Sequence, residues 1–161
     1  MNFRDLMWAI GLLPEEILED GFAGATLGLE CVGRIVRCGS DVRDWNVNDR
    51  VMAFAPSAFS THVTLDERTA WRIPQGIAPE AAATIPVTFS TAYYALVTLA
   101  KLRRGEWVLI HGGAGGVGLA ALQVARWRGA RVIATAGSNE KRALLQVLGA
   151  HHTLKDRKSV V

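Results

Sequence analysis

The residues best suited to binding a ligand are the glycines of one short segment, Gly112–Gly118. Within it, Gly113, Gly115 and Gly118 have the G-x-G-x-x-G spacing of loops that bind dinucleotides. In such a loop the glycines allow a tight turn, a close approach of the backbone to a pyrophosphate, and close packing of a helix on a strand. We therefore predict a dinucleotide site; the alternative is a glycine-rich turn that binds nothing. The residues expected to contact the cofactor here are Gly113, Gly115, Gly116, Val117 and Gly118.

Residues 134–142, which begin at the end of the next apolar run, indicate whether the cofactor is NADH or NADPH. A site selective for NAD normally has Asp or Glu at the end of this strand, where the carboxylate accepts hydrogen bonds from the ribose hydroxyls. This sequence has no carboxylate at that point, and Ser138, Lys141 and Arg142 offer a hydroxyl and two cations to a 2′-phosphate instead. NADPH is therefore the predicted cofactor. The alternative is that Lys141 and Arg142 are only solvated residues in the first turn of a helix, and this interpretation is preferred for Arg142.

The second half of the chain alternates strand and helix around the glycine loop. Apolar runs and helical spacing predict a strand at Trp107–His111, a helix at Leu119–Trp127, a strand at Arg131–Thr135, a helix at Lys141–Leu148 that stops at Gly149, and a strand starting at His152. A strand that is apolar throughout is typical of a sheet covered on both faces. Alternation of this kind predicts a parallel sheet with right-handed crossovers.

The first half has a different pattern, in which short β-branched and apolar runs are separated by turn residues. The predicted strands are Gly28–Val36, Asp49–Phe54, Phe59–Leu65 and Trp71–Ile73. Helices are predicted at Phe3–Leu12, Glu80–Ile85 and Thr88–Leu102. Strands at this spacing favour a small barrel or sandwich over a parallel sheet. The predicted fold class is therefore a mainly-β part followed by an α/β part.

Composition excludes several classes of protein. Half of the 161 residues are hydrophobic and 20% are charged, which is typical of a globular chain. No run approaches the roughly 20 apolar residues of a membrane-spanning helix. The net charge of +3 comes from 18 basic and 15 acidic residues scattered along the chain, without the basic stripe of a nucleic-acid-binding protein. Cys31 and Cys38 form no disulfide or metal pattern and no secretory signal is visible, so the expected location is cytoplasmic.

Four segments, taken in order, resemble the medium-chain dehydrogenase/reductase superfamily, and within it the enoyl reductase domains of modular polyketide synthases and animal-type fatty acid synthases. These segments are Asn2–Met7, Gly28–Gly33, Phe89–Tyr93 and Ile110–Gly118. The resemblance implies a GroES-like catalytic barrel at residues 1–85. It also implies a Rossmann NADP-binding domain, a doubly wound parallel sheet, at residues 86–155. Substrate and nicotinamide would meet between the two.

The resemblance also bears on metal use. Zinc-dependent members of the superfamily place ligands at three positions that are occupied here by Asn2, Leu29 and Val87. None of these side chains is a usual zinc ligand, and the cysteine-rich lobe that holds structural zinc is missing from the sequence. No metal site is therefore expected. Without a Lewis acid to polarise an alcohol or a ketone, a conjugated enoyl thioester is the better substrate, because its carbonyl delocalises the charge left by hydride addition.

The resemblance assigns roles to individual residues. Thr91 matches a threonine that contacts the nicotinamide, and the alternative is a helix threonine bonded to a backbone carbonyl. Lys141 matches a lysine used as a proton donor in several of these reductases, a role that competes with binding the 2′-phosphate. Asn2 is a second catalytic candidate, which either lines the substrate cleft or only caps a helix. Leu13 stands where many of these domains have a tyrosine proton donor.

The predicted function is an NADPH-dependent, zinc-independent reduction of the α,β double bond of an enoyl thioester during polyketide or fatty acid chain extension. The expected partners are a substrate carried on an acyl carrier protein and the other domains of a synthase, and a homodimer is left open. No nucleic acid and no membrane is expected to take part. Two alternatives stay open: a free-standing quinone or alkenal reductase of the same superfamily, and a nucleotide-binding module without catalysis.

Both ends of the chain are expected to depart from a complete domain. Asn2 already matches a position that the family reaches after its opening strands, and only strands one, two and the start of three of about six Rossmann strands are predicted here. The fragment alone is therefore expected to be inactive, with the edge of the strand Trp107–His111 left open. Residues 156–161 resemble the translation of a common sequencing adapter and are predicted to be a non-native tail.

Overall fold

The computed structural model describes residues 1–14, 16, 21 and 24–156. The chain divides into two compact units, Met1–Val87 and Thr88–Val161. Each unit has its own three-stranded sheet, antiparallel in the first unit and parallel in the second. The predicted succession of a mainly-β part and an α/β part is confirmed at this level.

The first unit is a small antiparallel sheet with short helices on either side of it in sequence. Its elements are helix α1 (Phe3–Ala9), strands β1 (Glu30–Arg34) and β2 (Arg50–Phe54), a 3-10 turn (Glu67–Thr69), strand β3 (Ala70–Arg72) and helix α2 (Pro79–Ala82). The central strand β2 pairs Ala53 with Cys31 of β1 and with Ala70 of β3. Val51 and Ala53 are buried and alternate with more exposed residues, because successive side chains of a strand point to opposite faces.

One strand predicted for this unit, at Phe59–Leu65, is wrong, because the structure has no strand there. Ser57 has a positive φ of 60°, and the Ser60 hydroxyl donates to the Ser57 carbonyl oxygen (2.7 Å), so a turn forms where the apolar run begins. The Phe59 N–H bonds to the Leu27 carbonyl oxygen (3.4 Å) rather than to a neighbouring strand. Turn chemistry here overrides the apolar pattern.

A helical segment follows along the chain. Helix α3 (Pro86–Tyr93) continues as a π-helical segment (Tyr94–Leu99), where the sequence predicted one helix over Thr88–Leu102. The predicted helix is therefore present, but its second part has a wider hydrogen-bond pattern than an α-helix.

The second unit is a parallel sheet with crossover helices. Its further elements are strand β4 (Trp107–Ile110), helix α4 (Gly116–Trp127), strand β5 (Arg131–Ala136), helix α5 (Asn139–Val147) and strand β6 (His152–Lys155), with the strands in the order β4-β5-β6. The register places Ile110 beside Ala134. The predicted alternation and the parallel pairing are confirmed. Gly149 follows α5 with a φ of 101°, the left-handed conformation that commonly ends a helix.

The core of the second unit joins its helices to its sheet. Leu122 of α4, Val132 of β5 and Leu145 of α5 are each less than 2% exposed. Full burial of such a side chain contributes about 1.5–3 kcal/mol relative to its exposed state. These three side chains belong to one buried cluster, which packs both helices against the sheet. Among the described residues, no helix has the length and apolar character needed to cross a membrane.

Candidate functional site

The glycine loop is shaped by close backbone packing. A Cβ atom at Gly118 would lie 2.5 Å from the Gly112 carbonyl oxygen, and one at Gly113 would lie 3.0 Å from the Ala134 Cβ. Gly112 itself has a φ of 59°, which favours glycine. The sequence motif therefore reflects steric requirements of the turn, because side chains at Gly113 and Gly118 would separate the loop from β5 and from the start of α4.

The backbone on the outer side of the same loop is accessible to solvent. Gly115 is the N-cap of α4, and its own N–H donates to the Gly112 carbonyl oxygen (2.8 Å). Gly115, Gly116 and Val117 are exposed, and the first turn of α4 carries no acidic residue. Because first-turn N–H groups have no partner one turn earlier within the helix, they are available to an anion. The loop thus fits the pyrophosphate of a dinucleotide.

The carboxyl end of β5 carries no acidic side chain. The strand ends at Ala136, which is 2% exposed and occupies the position where an NAD-selective site would have a carboxylate. Ser138 is the N-cap of α5, and its hydroxyl oxygen accepts a hydrogen bond from the Lys141 N–H (3.3 Å). The pKa of the Glu140 carboxyl is lowered by its own backbone N–H and then by the Ser138 hydroxyl. Ser138 therefore caps the helix in this structure.

Two cations lie in the first turn of α5. Lys141 is exposed, whereas Arg142 is half-buried, and its guanidinium donates to the Ala136 carbonyl oxygen (2.9 Å) and to the Asn139 side chain. The interpretation of Arg142 as a solvated residue is therefore wrong. One helical turn brings its side chain back over the end of β5, where the Ala136 carbonyl oxygen, which also accepts the Asp156 N–H (3.2 Å), accepts it. The sequence alone did not show that this carbonyl was within reach.

Thr91 lies on α3 and is exposed. It belongs to the second unit, as do the glycine loop, Ser138 and Lys141, whereas Asn2 belongs to the first unit. The contact of Thr91 with a nicotinamide stays a prediction.

Asn2 begins a hydrogen-bonded cluster in the first unit. It is the N-cap of α1, and its N–H donates to the Asp5 carboxylate (3.0 Å). Asp5 is 1% exposed and also accepts the Gly28 N–H (3.0 Å). Gly28 has a φ of 84°, and a Cβ there would lie 2.6 Å from the Phe59 nitrogen. Asn2 therefore stands at the N-cap position of α1, and its backbone N–H is held by a buried carboxylate.

Glu30 connects Asn2 to a distant part of the same unit. The Asn2 Nδ2 donates to Glu30 Oε1 (2.8 Å), and the Val87 N–H donates to Glu30 Oε2 (2.8 Å). One carboxylate therefore joins two of the three positions that hold zinc ligands in the metal-dependent relatives. Glu30 is not among the residues predicted from the sequence; the signal was a carboxylate inside an apolar strand run beside Leu29. Burial first, and then the charge of Glu30, raise the pKa of the neighbouring Cys31 thiol.

The described part of the chain contains no group of three or more His, Cys, Asp or Glu side chains that could hold a metal ion. At the three positions considered above, Asn2 and the Val87 N–H are bound to Glu30 and Leu29 has a hydrocarbon side chain. This donor set does not fit zinc, which takes thiolate, imidazole or carboxylate ligands.

Comparison with known proteins assigns the class. The zinc-binding dehydrogenase family matches residues 116–161. The chain is 40% identical over 145 residues to the reducing polyketide synthase FUB1 of Gibberella moniliformis, covering 90% of this chain and 6% of that protein. The crystal structure of the CurK enoyl reductase matches 98% of this chain and 48% of its own, with 40% identity and a TM-score of 0.89. Mycobacterial Rv1454c, solved in complex with NADPH, matches 98% of this chain and 48% of its own, with 32% identity and a TM-score of 0.82.

The chain therefore belongs to the medium-chain dehydrogenase/reductase superfamily. Within that superfamily it is similar to the enoyl reductase domains of polyketide synthases. It spans about 6% of the FUB1 synthase and about half of the CurK and Rv1454c chains.

Proposed function

We propose that this chain is part of an NADPH-dependent, zinc-independent reductase that reduces the α,β double bond of an enoyl thioester during polyketide or fatty acid chain extension. The observation that carries the proposal is the combination of an accessible first turn after the glycine loop with a second strand that ends at Ala136 without a carboxylate. The NADPH bound in the Rv1454c structure supports the choice of cofactor, and the similarity to the CurK enoyl reductase supports the reaction.

The cofactor would be held mainly by backbone groups. The first-turn N–H groups of α4, at Gly116, Val117 and Gly118, would bind the pyrophosphate, and Gly113 and Gly115 would let it approach. Lys141, exposed on the first turn of α5, would pair with the 2′-phosphate. Ser138 would take part only by exchanging its helix-capping bond, because its hydroxyl already accepts the Lys141 N–H.

Bound NADPH would supply a hydride to the β-carbon of the substrate. The protein then has to orient the two reactants and stabilise the enolate that develops on the thioester. Asn2 would line the substrate cleft from a fixed position. Glu30 accepts one of its amide hydrogens, and the Asp5 carboxylate accepts its backbone N–H. Thr91 would contact the nicotinamide. Lys141 is the candidate proton donor to the α-carbon, in competition with its phosphate-binding role.

The complete protein would receive its substrate from an acyl carrier protein and would act beside other synthase domains, with a barrel and a Rossmann sheet extending the two units described here. A cytoplasmic location and a homodimer belong to the same proposal. The similarity to polyketide synthases supports this context.

The test compares acceptors and cofactors. A crotonyl thioester and a quinone are supplied with NADPH to the protein that contains this chain, and NADPH consumption is followed by its absorbance. We expect turnover of the thioester, and binding of NADPH tighter than NADH by about one to two decades, since a charge-assisted bond contributes roughly 1.5–3 kcal/mol.

Three outcomes would contradict the proposal. Turnover of the quinone alone would indicate the free-standing reductase, and NADPH binding without turnover of either acceptor would indicate a non-catalytic module. Equal dissociation constants for NADPH and NADH would remove the cofactor preference.

A further inference from the structure

Thr135, on β5, is a buried polar side chain in an apolar setting. It is 5% exposed and, with Asp5, is one of two buried polar or charged residues in the described part of the chain. Its strand neighbours Ala134 and Ala136 are both buried. A hydroxyl at such a position destabilises the fold unless it is hydrogen-bonded, so its partners indicate what it is used for.

Those partners lie at the start of the glycine loop. The Gly112 N–H donates to the Thr135 Oγ1 (3.2 Å), and the Gly113 N–H donates to the Thr135 carbonyl oxygen (2.8 Å). The Thr135 hydroxyl donates to the Asp156 carboxylate, and the His111 Nδ1 lies 3.4 Å from the same Oγ1. Two consecutive amides of the loop are therefore fixed by one residue of the adjacent strand.

These bonds determine how the chain turns from strand β4 into the glycine loop. Strand β4 ends at Ile110, so the bonds to Thr135 fix the N–H groups of Gly112 and Gly113, which lie beyond the end of that strand. Gly112 turns there with a φ of 59°, and its carbonyl oxygen accepts the Gly115 N–H (2.8 Å). The same oxygen is the atom that a Cβ on Gly118 would approach to 2.5 Å. The orientation of Gly112 thus sets the position of the first turn of α4.

We propose that Thr135 is a positioning residue of the cofactor loop. Its hydroxyl fixes the peptide before Gly112, and through the Gly112 carbonyl it fixes the direction of the first-turn N–H groups that bind the pyrophosphate. This inference rests on the proposed function for the identity of the ligand. Because NADPH and NADH share the pyrophosphate, loss of the hydroxyl weakens the binding of both by the same factor.

The experiment uses the 161-residue chain and three variants. Thr135→Val removes the hydroxyl and keeps the branched shape, and Thr135→Ser restores it. Thr153→Val, on the neighbouring β6, is the matched control, because the Thr153 hydroxyl accepts a bond from Gln146 (3.1 Å) and none from the loop.

The variants are titrated with NADPH and with NADH. Both dissociation constants should rise about five- to tenfold in Thr135→Val, stay within about twofold of wild type in Thr135→Ser, and be unchanged in Thr153→Val. Unchanged affinity in Thr135→Val, or a loss for NADPH without a loss for NADH, would overturn the proposal.

Amide hydrogen exchange of Gly112, measured by NMR without nucleotide, separates this proposal from the proposed function. Faster exchange of this one N–H is expected in Thr135→Val and not in Thr153→Val. If the wild-type chain binds neither nucleotide but Gly112 exchange still rises, the cofactor assignment fails and the positioning role stands. Unchanged exchange of Gly112 in Thr135→Val overturns the positioning role whatever the nucleotide does.

Discussion

The two units build their polar clusters in opposite ways. In the second unit the glycine loop places its backbone groups within seven consecutive residues, 112–118, and the strand and helix on either side follow directly in sequence. In the first unit the cluster of Asn2, Asp5, Gly28, Glu30 and Val87 joins residues that are up to 85 positions apart. The first arrangement depends on short-range backbone geometry, and the second depends on long-range contacts made by carboxylates.

The glycine loop and the carboxylate cluster should be sensitive to different kinds of substitution. The loop tolerates little added volume, because the backbone fills the space that a side chain would need. The carboxylate cluster tolerates little change in hydrogen-bonding capacity, because each carboxylate accepts two N–H groups. Added volume should therefore disrupt the loop, whereas the cluster of the first unit, besides the steric constraint at Gly28, should also be sensitive to isosteric substitution of its carboxylates.

The largest effect is expected from Gly118→Ala. The new methyl group would meet the Gly112 carbonyl oxygen at 2.5 Å and the Gly113 backbone at 2.7 Å, so the loop must move. We expect a loss of about 3 kcal/mol in the free energy of unfolding and loss of NADPH binding, measured by urea denaturation and nucleotide titration. Gly137→Ala is the control, because nothing lies within 4 Å of the point where its Cβ would be and its φ is not positive. A stable Gly118→Ala chain that binds NADPH normally would contradict the steric account.

A smaller effect is expected from Asp5→Asn in the first unit. The amide has the shape of the carboxylate but only one accepting oxygen, so either the Asn2 N–H or the Gly28 N–H loses its buried partner. The free energy of unfolding should fall by about 2 kcal/mol, followed by tryptophan fluorescence in urea. Asp41→Asn, at an exposed site, should change it by less than about 0.5 kcal/mol. Equal effects at the two sites would show that the buried carboxylate does not organise this unit.

Lys141→Ala tests the electrostatic part of the second unit. If Lys141 binds the 2′-phosphate, the KM for NADPH should rise about tenfold while that for NADH stays unchanged, as expected for loss of one exposed charge-assisted bond. If it donates the proton, kcat at saturating NADPH should fall instead. Arg103→Ala, which removes an exposed cation elsewhere in the second unit, is the control. An unchanged enzyme would exclude both roles for Lys141.

The smallest effect concerns Cys31 beside the Glu30 carboxylate. Burial and the charge of Glu30 raise the pKa of the thiol, so less of it is thiolate at pH 8 and its alkylation rate should increase steadily as the pH rises further. Glu30→Gln removes the charge and should accelerate alkylation of Cys31 by iodoacetamide about twofold at pH 8, as followed by peptide mass spectrometry. The rate at Cys38 in the same chain serves as the internal control. No change at Cys31 would show that Glu30 exerts no field there.

Sequence alone determined the parts of this protein that short-range rules control. The strand, glycine loop and helix of residues 107–127 follow from an apolar run and from glycines whose spacing the turn requires, and Gly149 ends α5 because it adopts a left-handed conformation. The missing carboxylate at Ala136 was also visible without coordinates, because the motif fixes its distance along the chain.

Other features depend on contacts between residues that are far apart in sequence, and only the folded structure shows them. The false strand at Phe59–Leu65 has the apolar pattern of a strand, but its first residues bond to Leu27 and Ser57. The link from Glu30 to Asn2 and Val87 and the bond from the Gly112 N–H to Thr135 join residues 23 to 57 positions apart, so local spacing does not predict them. Each depends on a donor and an acceptor brought together by packing, and a buried polar group is stable only where folding supplies its partner.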